Sequence, residues 1–323
     1  MTLRWGILAT GGIARKFTTD LIGAGLTVAA VGSRTQESAD AFASDFAIST
    51  AHGSYAALAA DPGVDAIYIA TPHPQHIEAA RLALAGGKHV LIEKPITLTR
   101  AEAEEIRDLA AKNGLIAMEA MWTRYLPMMA RIREIIDAGT IGDVRAVSAD
   151  HTQSISADPD HRLNALALGG GALLDLGIYP ISFAWDILGE PVSIKASARI
   201  GETGADTEVA TVMTHASGAL STTVSSSRSA GANTAHILGS AARIDIDRTW
   251  YNQATFTVTT PDGSVIERYE EKIAGRGMQF QALALERAVT DGVAPLLSVD
   301  ESAKIMGTLD EIRRQIGVVY PGE

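Results

Sequence analysis

Ala9-Thr10-Gly11-Gly12-Ile13-Ala14 is the stretch on which the fold turns. It closes an apolar run, Leu3–Thr10, and opens a segment of helical period, Ile13–Ala24. Set against G-x-G-x-x-G/A, Gly11 and Ala14 match, while Ala9 stands in place of the first glycine. A glycine at the centre lets the backbone approach a pyrophosphate, and a small third residue lets the helix pack on the strand. The helix N-terminus then offers free N–H groups to phosphate. Alanine is also small, so the methyl of Ala9 is expected to clear a bound pyrophosphate. Thr10, Gly11, Gly12 and Ile13 are the candidate contacts. Taken alone, the same letters would suit a small-residue turn in an unrelated α/β protein.

The surroundings argue for more. Further apolar runs, Thr27–Ser33, Val64–Thr71, His89–Glu93 and Leu115–Met121, are interleaved with helical segments such as Pro74–Ala85 and Arg100–Asn113. That alternation is the mark of βαβ units and a parallel sheet. The segment Arg100–Asn113 opens with Thr99 and Glu102 in capping-box spacing and stops at Gly114. After Met121 the rhythm changes. A helix over Met128–Ala138 and a strand over Val144–Ser154 lead to a polar loop, Ile155–Ala167. Gly169-Gly170-Gly171 then enters an apolar helix, Ala172–Leu188, and strands follow from Ser193 to Tyr269, with a hairpin turn at Asp262-Gly263. Helices over Met278–Thr290 and Ser302–Ile316 close the chain. The expected fold class is α/β: an N-terminal Rossmann domain with a parallel sheet, residues 1–121, and a C-terminal α+β domain with a large, mostly antiparallel sheet, residues 122–323.

Composition narrows the function. The 323 residues suit two ordinary domains, and 46% apolar with 20% charged is a globular balance. With no cysteine, disulfides, thiolate metal sites and a cysteine nucleophile are excluded. A net charge of −11 repels phosphate backbones and anionic lipid, so neither nucleic acid nor membrane is an expected partner. No apolar run reads as long enough to cross a bilayer, and Met1–Gly6 enters a strand with no secretion signal. The expected location is the cytoplasm.

The second run ends Val31-Gly32-Ser33-Arg34-Thr35, with no carboxylate at its tip. An NAD binder usually places Asp or Glu there for the ribose hydroxyls, and that carboxylate would repel a 2′-phosphate. Ser33 and Arg34 instead suit the 2′-phosphate, so NADP(H) is favoured over NAD(H). Glu93-Lys94-Pro95 places a lysine just past the carboxyl end of a strand, where open α/β sheets bind ligands. Proline keeps Lys94 out of the helical region, and a cis bond at Pro95 is open. Further on, Gly169–Pro180 sets Asp175 and Tyr179 four residues apart, on one face of a helix, with Gly177 allowing close approach. An acid and a phenol among apolar residues are costly unless they serve something, though a buried tyrosine bonded to a neighbour would read alike.

Together these residues resemble the glucose–fructose oxidoreductase/inositol dehydrogenase/rhizopine-catabolism family, Gfo/Idh/MocA, along the whole chain. The resemblance rests on Ala9–Ala14, Thr71-Pro72-His73-Pro74-Gln75-His76, Glu93-Lys94-Pro95, Met118-Glu119-Ala120-Met121-Trp122-Thr123-Arg124 and Gly170–Tyr179. Their wording is most similar to the dimeric dihydrodiol dehydrogenase branch, which includes NADP-dependent D-xylose dehydrogenases.

The resemblance implies a catalytic lysine at Lys94, an acid/base at Tyr179 and a family carboxylate at Asp175. It implies cofactor contacts at Thr71, Pro72, His73, His76, Glu93, Glu119, Trp122 and Arg124. His73 and His76 have a spacing that metal sites use, but no ligand pattern accompanies them, so no metal is expected. Trp122 reads equally as interdomain packing. Arg162, with His151 and His161 on or near the polar loop, is a candidate substrate contact, although an exposed loop arginine would look the same.

The implied activity is an NADP(H)-dependent oxidoreductase that moves a hydride between the nicotinamide and a small-molecule sugar, polyol or cyclic diol. Tyr179 would exchange the proton and Lys94 would assist, because a phenol that titrates near ~10 needs help at neutral pH. Hydrolysis through transient oxidation by bound NAD is one rival, and the Ser33-Arg34 tip speaks against it. A non-enzymatic NAD(P)-sensing regulator on the same fold is the other, and the joint presence of Lys94 and Tyr179 speaks against that. The strand-rich segment leaves one sheet face uncovered, and the resembled branch is dimeric, so a homodimer is expected.

Overall fold

A computed structural model describes residues 2–323; Met1 lies outside them. The chain forms two compact units. One runs to Trp122 and regains Ala274–Ala303; the other comprises Thr123–Ile273 and Lys304–Glu323. The division expected at 121/122 thus lacks a returning segment. The 30 residues from 274 carry a helix that the sequence reading assigned to the C-terminal domain.

In the first unit, β1 (Arg4–Leu8), β2 (Thr27–Gly32), β3 (Thr50–His52), β4 (Ala66–Ile69), β5 (His89–Glu93) and β6 (Ala117–Ala120) form one parallel sheet in the order β3-β2-β1-β4-β5-β6. β4 and β6 are buried along their whole length, as expected for parallel strands covered on both faces. The helices are α1 (Gly12–Gly23), α2 (Gln36–Phe46), α3 (Tyr55–Ala59), α4 (His76–Ala85) and α5 (Arg100–Asn113). β3, α2 and α3 were not singled out from the sequence. The helix expected from Pro74 instead begins with a 3-10 turn, His73–Gln75, before α4. Thr99 caps α5 as expected, but Glu102 reaches back to the Leu98 N–H, 3.0 Å away, one residue before the cap. The strand order reverses between β1 and β4, so the ligand crevice belongs beside the carboxyl ends of these two strands.

The second unit holds α6 (Pro127–Asp137), β7 (Val144–Thr152), α7 (Ile178–Leu188), β8 (Pro191–Ile200), β9 (Asp206–His215), β10 (Leu220–Ser226), β11 (Ala235–Gly239), β12 (Arg243–Ile246), β13 (Phe256–Thr259) and β14 (Val265–Tyr269). Its eight strands run β14-β13-β12-β11-β7-β10-β9-β8, antiparallel except for the pair β7 and β10. The hairpin at Asp262-Gly263 joins β13 to β14. α7 packs on β7 and β10. On β9, β10 and β11, Val212, Leu220, Val224 and Leu238 are exposed.

Two expectations need correction here. Ala172–Leu188 is not one α-helix: a π-helical turn, Leu173–Gly177, precedes α7. Gly177 sits in this turn because a side chain there would press on β10; a Cβ would lie 3.0 Å from Ser225 Oγ. The same region also overturns the statement about apolar runs. Leu166–Leu188, 23 residues, is long and apolar enough to span a bilayer by composition, but 83% of its apolar window is buried inside the protein. Its hydrophobicity is spent on the core.

The returning segment contributes α8 (Gln279–Thr290) and the start of α9 (Val299–Ile316). Its entry is pinned to α1, where the Asp20 carboxylate accepts the N–H groups of Arg276 and Met278 at 3.0 and 2.9 Å. Glu286 of α8 accepts the Trp5 indole N–H at 3.0 Å and the Leu3 N–H at 3.2 Å. Both carboxylates are thereby bonded where they are buried, as such groups must be.

Candidate active site

The βα turn after β1 is open on its outer side. A Cβ built on Gly11 or Gly12 would meet nothing within 4 Å, and α1 begins with no side chain capping its N–H groups. That leaves a positive helix end facing free space, flanked by the partly exposed Thr10 and Ile13. Ala9 has φ of 81°, in the left-handed region, and its N–H donates to Gly32 O at 2.9 Å. The alanine in place of glycine therefore costs backbone strain, where the sequence raised only the question of space.

Ser33 is buried, its N–H bonded to His52 O at 3.0 Å, while Arg34 next to it is exposed. Arg34 acts on the Tyr55 phenol: burial pushes that phenol up and the guanidinium opposes the rise. Tyr55 in turn lines a cavity of about 520 Å³ with Thr71, Gln75, Glu78, Ala79, Arg81 and Leu82. The Thr71 hydroxyl is buried and, among the described residues, has no hydrogen-bond partner. Pro72 is exposed and His73 partly so. His76 is fully buried, its ring nitrogens 2.9 Å from Thr71 O and Pro95 O. Burial pushes its pKa down against the pull of those carbonyls. A neutral ring donates to one of these carbonyls, and in that place His76 lies between the end of β4 and the loop after β5.

Lys94, half-buried, follows β5 and is joined to Pro95 by a cis peptide. The loop behind it is held by two interior carboxylates. Glu93 accepts the Tyr68 hydroxyl and the Lys94 N–H. Glu119 accepts the Ile96 N–H at 3.0 Å and the Ser302 hydroxyl at 2.8 Å. Both are buried and serve the loop's shape. Trp122 is buried with the Arg276 guanidinium 5.2 Å above its ring.

In the second unit, Arg124 is committed to the interior. It donates to Ser182 Oγ and Ser182 O at 2.9 and 2.8 Å and lies 3.6 Å from Asp186, which Arg133 also engages at 2.7 Å. Asp175 and Arg162 form a two-pronged ion pair at 3.2 and 3.0 Å. Arg162 is 58% exposed and Asp175 only 10%, so the carboxylate faces inward and the guanidinium outward. Tyr179 stands among aromatic rings. His151 meets it edge-on at 4.9 Å, and Tyr251, stacked on His151 at 3.6 Å, lies 5.6 Å from it. Gln153 Nε2 is 3.0 Å from His151 Nε2. The turn leading to Tyr179 is set by Asp206, whose Oδ2 accepts the Leu173 N–H at 2.6 Å, and by Tyr320, whose hydroxyl donates to Gly170 O at 2.9 Å.

Known proteins match both units. Residues 3–121 match the model of the oxidoreductase family with an NAD-binding Rossmann fold, and residues 129–245 match a GFO/IDH/MocA C-terminal domain. The chain belongs to the Gfo/Idh/MocA oxidoreductase family. Among its Gfo/Idh/MocA relatives, trans-1,2-dihydrobenzene-1,2-diol dehydrogenase of Mus musculus is 37% identical, covering 99% of each chain. D-xylose 1-dehydrogenase (NADP(+)) of Hypocrea jecorina is 35% identical over 99% of this chain and 93% of the relative. The crystal structure of a 3-ketoreductase from Actinomadura kijaniata, in complex with NADP and TDP-benzene, superposes with a TM-score of 0.85 at 27% identity, over 98% of both chains. All three are oxidoreductases, and none is named as a regulator.

Tyr55, Gln75, Gln153, Asp206 and Tyr251 were missed from the sequence, where none of them was weighed. Gln75 had a signal, lying inside the quoted Thr71–His76 motif. Tyr251 had one too: Trp250-Tyr251 is an aromatic pair in a chain with only 5% aromatics.

Proposed function

We propose that this protein is an NADP(H)-dependent dehydrogenase or reductase acting on a CH–OH group of a sugar, polyol or cyclic diol. The observation that carries the reading is the open βα turn at Gly11 and Gly12, set beside a second strand followed by Ser33 and Arg34 with no carboxylate. The residues present fit a dinucleotide phosphate. The α1 N–H groups suit its pyrophosphate, Ser33 and Arg34 its 2′-phosphate, and the unbonded Thr71 hydroxyl is a donor still to be used. When bound, the nicotinamide supplies the site that takes or gives a hydride. The D-xylose dehydrogenase named for NADP(+) and the ketoreductase solved with NADP support this choice.

In this reading Tyr179 Oη takes the proton of the substrate hydroxyl in oxidation and returns it in reduction. Lys94 Nζ, on its proline-held loop, bonds the same oxygen and favours the phenolate. Asp175 receives a neighbouring hydroxyl, with Arg162 holding the carboxylate in place. The test is Tyr179→Phe and Lys94→Met, each expected to lower kcat by ~10²–10⁴ with NADPH affinity retained, and the double variant to lose less than the product. Full turnover by Tyr179→Phe would overturn the assignment. Arg34→Ala should weaken NADPH far more than NADH; equal weakening would reject the 2′-phosphate role.

The same reading makes the protein a homodimer. Val212, Leu220, Val224 and Leu238 lie exposed on the second unit's sheet, with Leu220 and Leu238 both paired to Ala146 of β7. An apolar sheet face of this kind suits a two-fold interface. A monomer mass by light scattering at micromolar concentration would reject it.

A further inference from the structure

We propose that Tyr251 is a specificity-determining residue, whose hydroxyl donates a hydrogen bond to a second substrate oxygen while Tyr179 serves the reacting one. The inference rests on the reading of Tyr179 given above. Its ground is the way Tyr251 is held. The ring is stacked on the buried His151 at 3.6 Å with 21° between planes, which fixes its orientation, and it stands beside the Tyr179 ring. The Thr123 hydroxyl donates to Tyr251 O at 2.7 Å and fixes its backbone. Gln153 Nε2 lies 3.0 Å from His151 Nε2 and so holds the ring on which Tyr251 is stacked.

That arrangement decides what the phenol can still offer. A phenol carries one O–H to donate as well as an oxygen that accepts. Burial and the neighbouring Tyr179 both push the Tyr251 pKa up, so at neutral pH the group is a neutral donor, not a second base. A fixed donor next to the proton-exchanging phenol matches substrates that carry an oxygen near the reacting carbon. It penalises analogues that lack it, because the half-buried donor then loses that partner.

The experiment is a cycle between one substrate oxygen and one protein oxygen. Initial rates with NADP⁺ are compared for D-glucose and 2-deoxy-D-glucose, and for trans-1,2-cyclohexanediol and cyclohexanol, with the wild type and Tyr251→Phe. In the wild type, removing the second hydroxyl is expected to lower kcat/KM by ~10- to 100-fold in the pair that is turned over. In Tyr251→Phe that ratio should shrink to within about threefold, through KM more than kcat. Gln153→Leu, at an exposed position, releases the His151 ring that orients Tyr251, should shrink the ratio in the same direction, and serves if Tyr251→Phe does not fold. Saturation-transfer NMR of the same four compounds gives the binding counterpart. An unchanged ratio in a variant that turns over substrate overturns the inference alone. Absence of turnover for all four compounds overturns it together with the dehydrogenase reading.

Discussion

Replacing Asp206 with asparagine should abolish a particular pH dependence of stability. Asp206 is almost wholly buried at the start of the π turn that carries Asp175, with Oδ2 bonded to the Leu173 N–H at 2.6 Å. Oδ1 has no hydrogen-bond partner among the described residues. Burial pushes its pKa from 3.8 to about 6, against the pull of the Leu173 and Ala172 N–H groups and of Arg313. The folded protein therefore holds this proton more tightly than the unfolded chain. The resulting stabilisation is fully present below the unfolded value and is lost as pH rises through about 6. From about pH 4.5 to about pH 7.5 the loss comes to ~2 kcal/mol.

Asparagine keeps the shape, accepts the Leu173 N–H through its carbonyl oxygen and carries no titrating proton. Its NH₂ would stand where Oδ1 now lies unbonded, at a pH-independent cost of ~1–3 kcal/mol. Urea unfolding of both proteins at several pH values isolates the difference. The wild type should lose ~2 kcal/mol relative to Asp206→Asn over that range. A difference that stays constant across it would mean that Asp206 is ionised in the fold at acid pH, and the argument from burial would fail.

Three further outcomes follow from neighbouring geometry. Gly171→Ala should destabilise by more than ~3 kcal/mol in thermal unfolding, because φ is 138° and the new Cβ would lie 2.2 Å from Asp206 Oδ1. Ala9→Gly should raise or hold the melting temperature, since relief of left-handed strain worth ~1–3 kcal/mol competes with the ~1 kcal/mol entropy cost of glycine; a clear drop would show that Ala9 is unstrained. Ser302→Ala should cost ~1.5–3 kcal/mol by removing a hydrogen bond to the buried Glu119 carboxylate, and a neutral result in the same assay would mean that this carboxylate is satisfied without it.

Legibility followed the physics of each element. The strands of the first sheet are short and apolar because both faces are covered, so β1, β2, β4, β5 and β6 could be read as runs. β3 escaped because Thr50–His52 is three half-buried residues at the sheet edge, with no pattern to show. The π turn escaped for another reason. A shift from i+4 to i+5 bonding is set by what the turn packs against, here Asp206 and Ser225, and those residues lie far along the chain. The return of Ala274–Ala303 to the first unit is likewise fixed by distant carboxylates, Asp20 among them.

Motif residues that are adjacent in sequence turn out to do different work. In Thr71–His76, the Thr71 hydroxyl has no hydrogen-bond partner among the described residues, while the buried His76 ring is held between two backbone carbonyls. In Glu93-Lys94, the acid is locked under the loop and the lysine is carried on it. In Met118–Arg124, Glu119 and Arg124 both point into interiors and are fully bonded there. A motif of this kind records a loop together with the groups that hold its backbone, and the holding groups are the more buried. Buried charge must be paired, so Glu119 and Arg124 can be recognised as scaffold by their internal partners. The ligand-facing groups are then those whose burial is not explained by such partners. By that criterion the Thr71 hydroxyl is a buried group that no internal partner explains, whereas Glu93, Glu119 and Arg124 each have partners inside the protein.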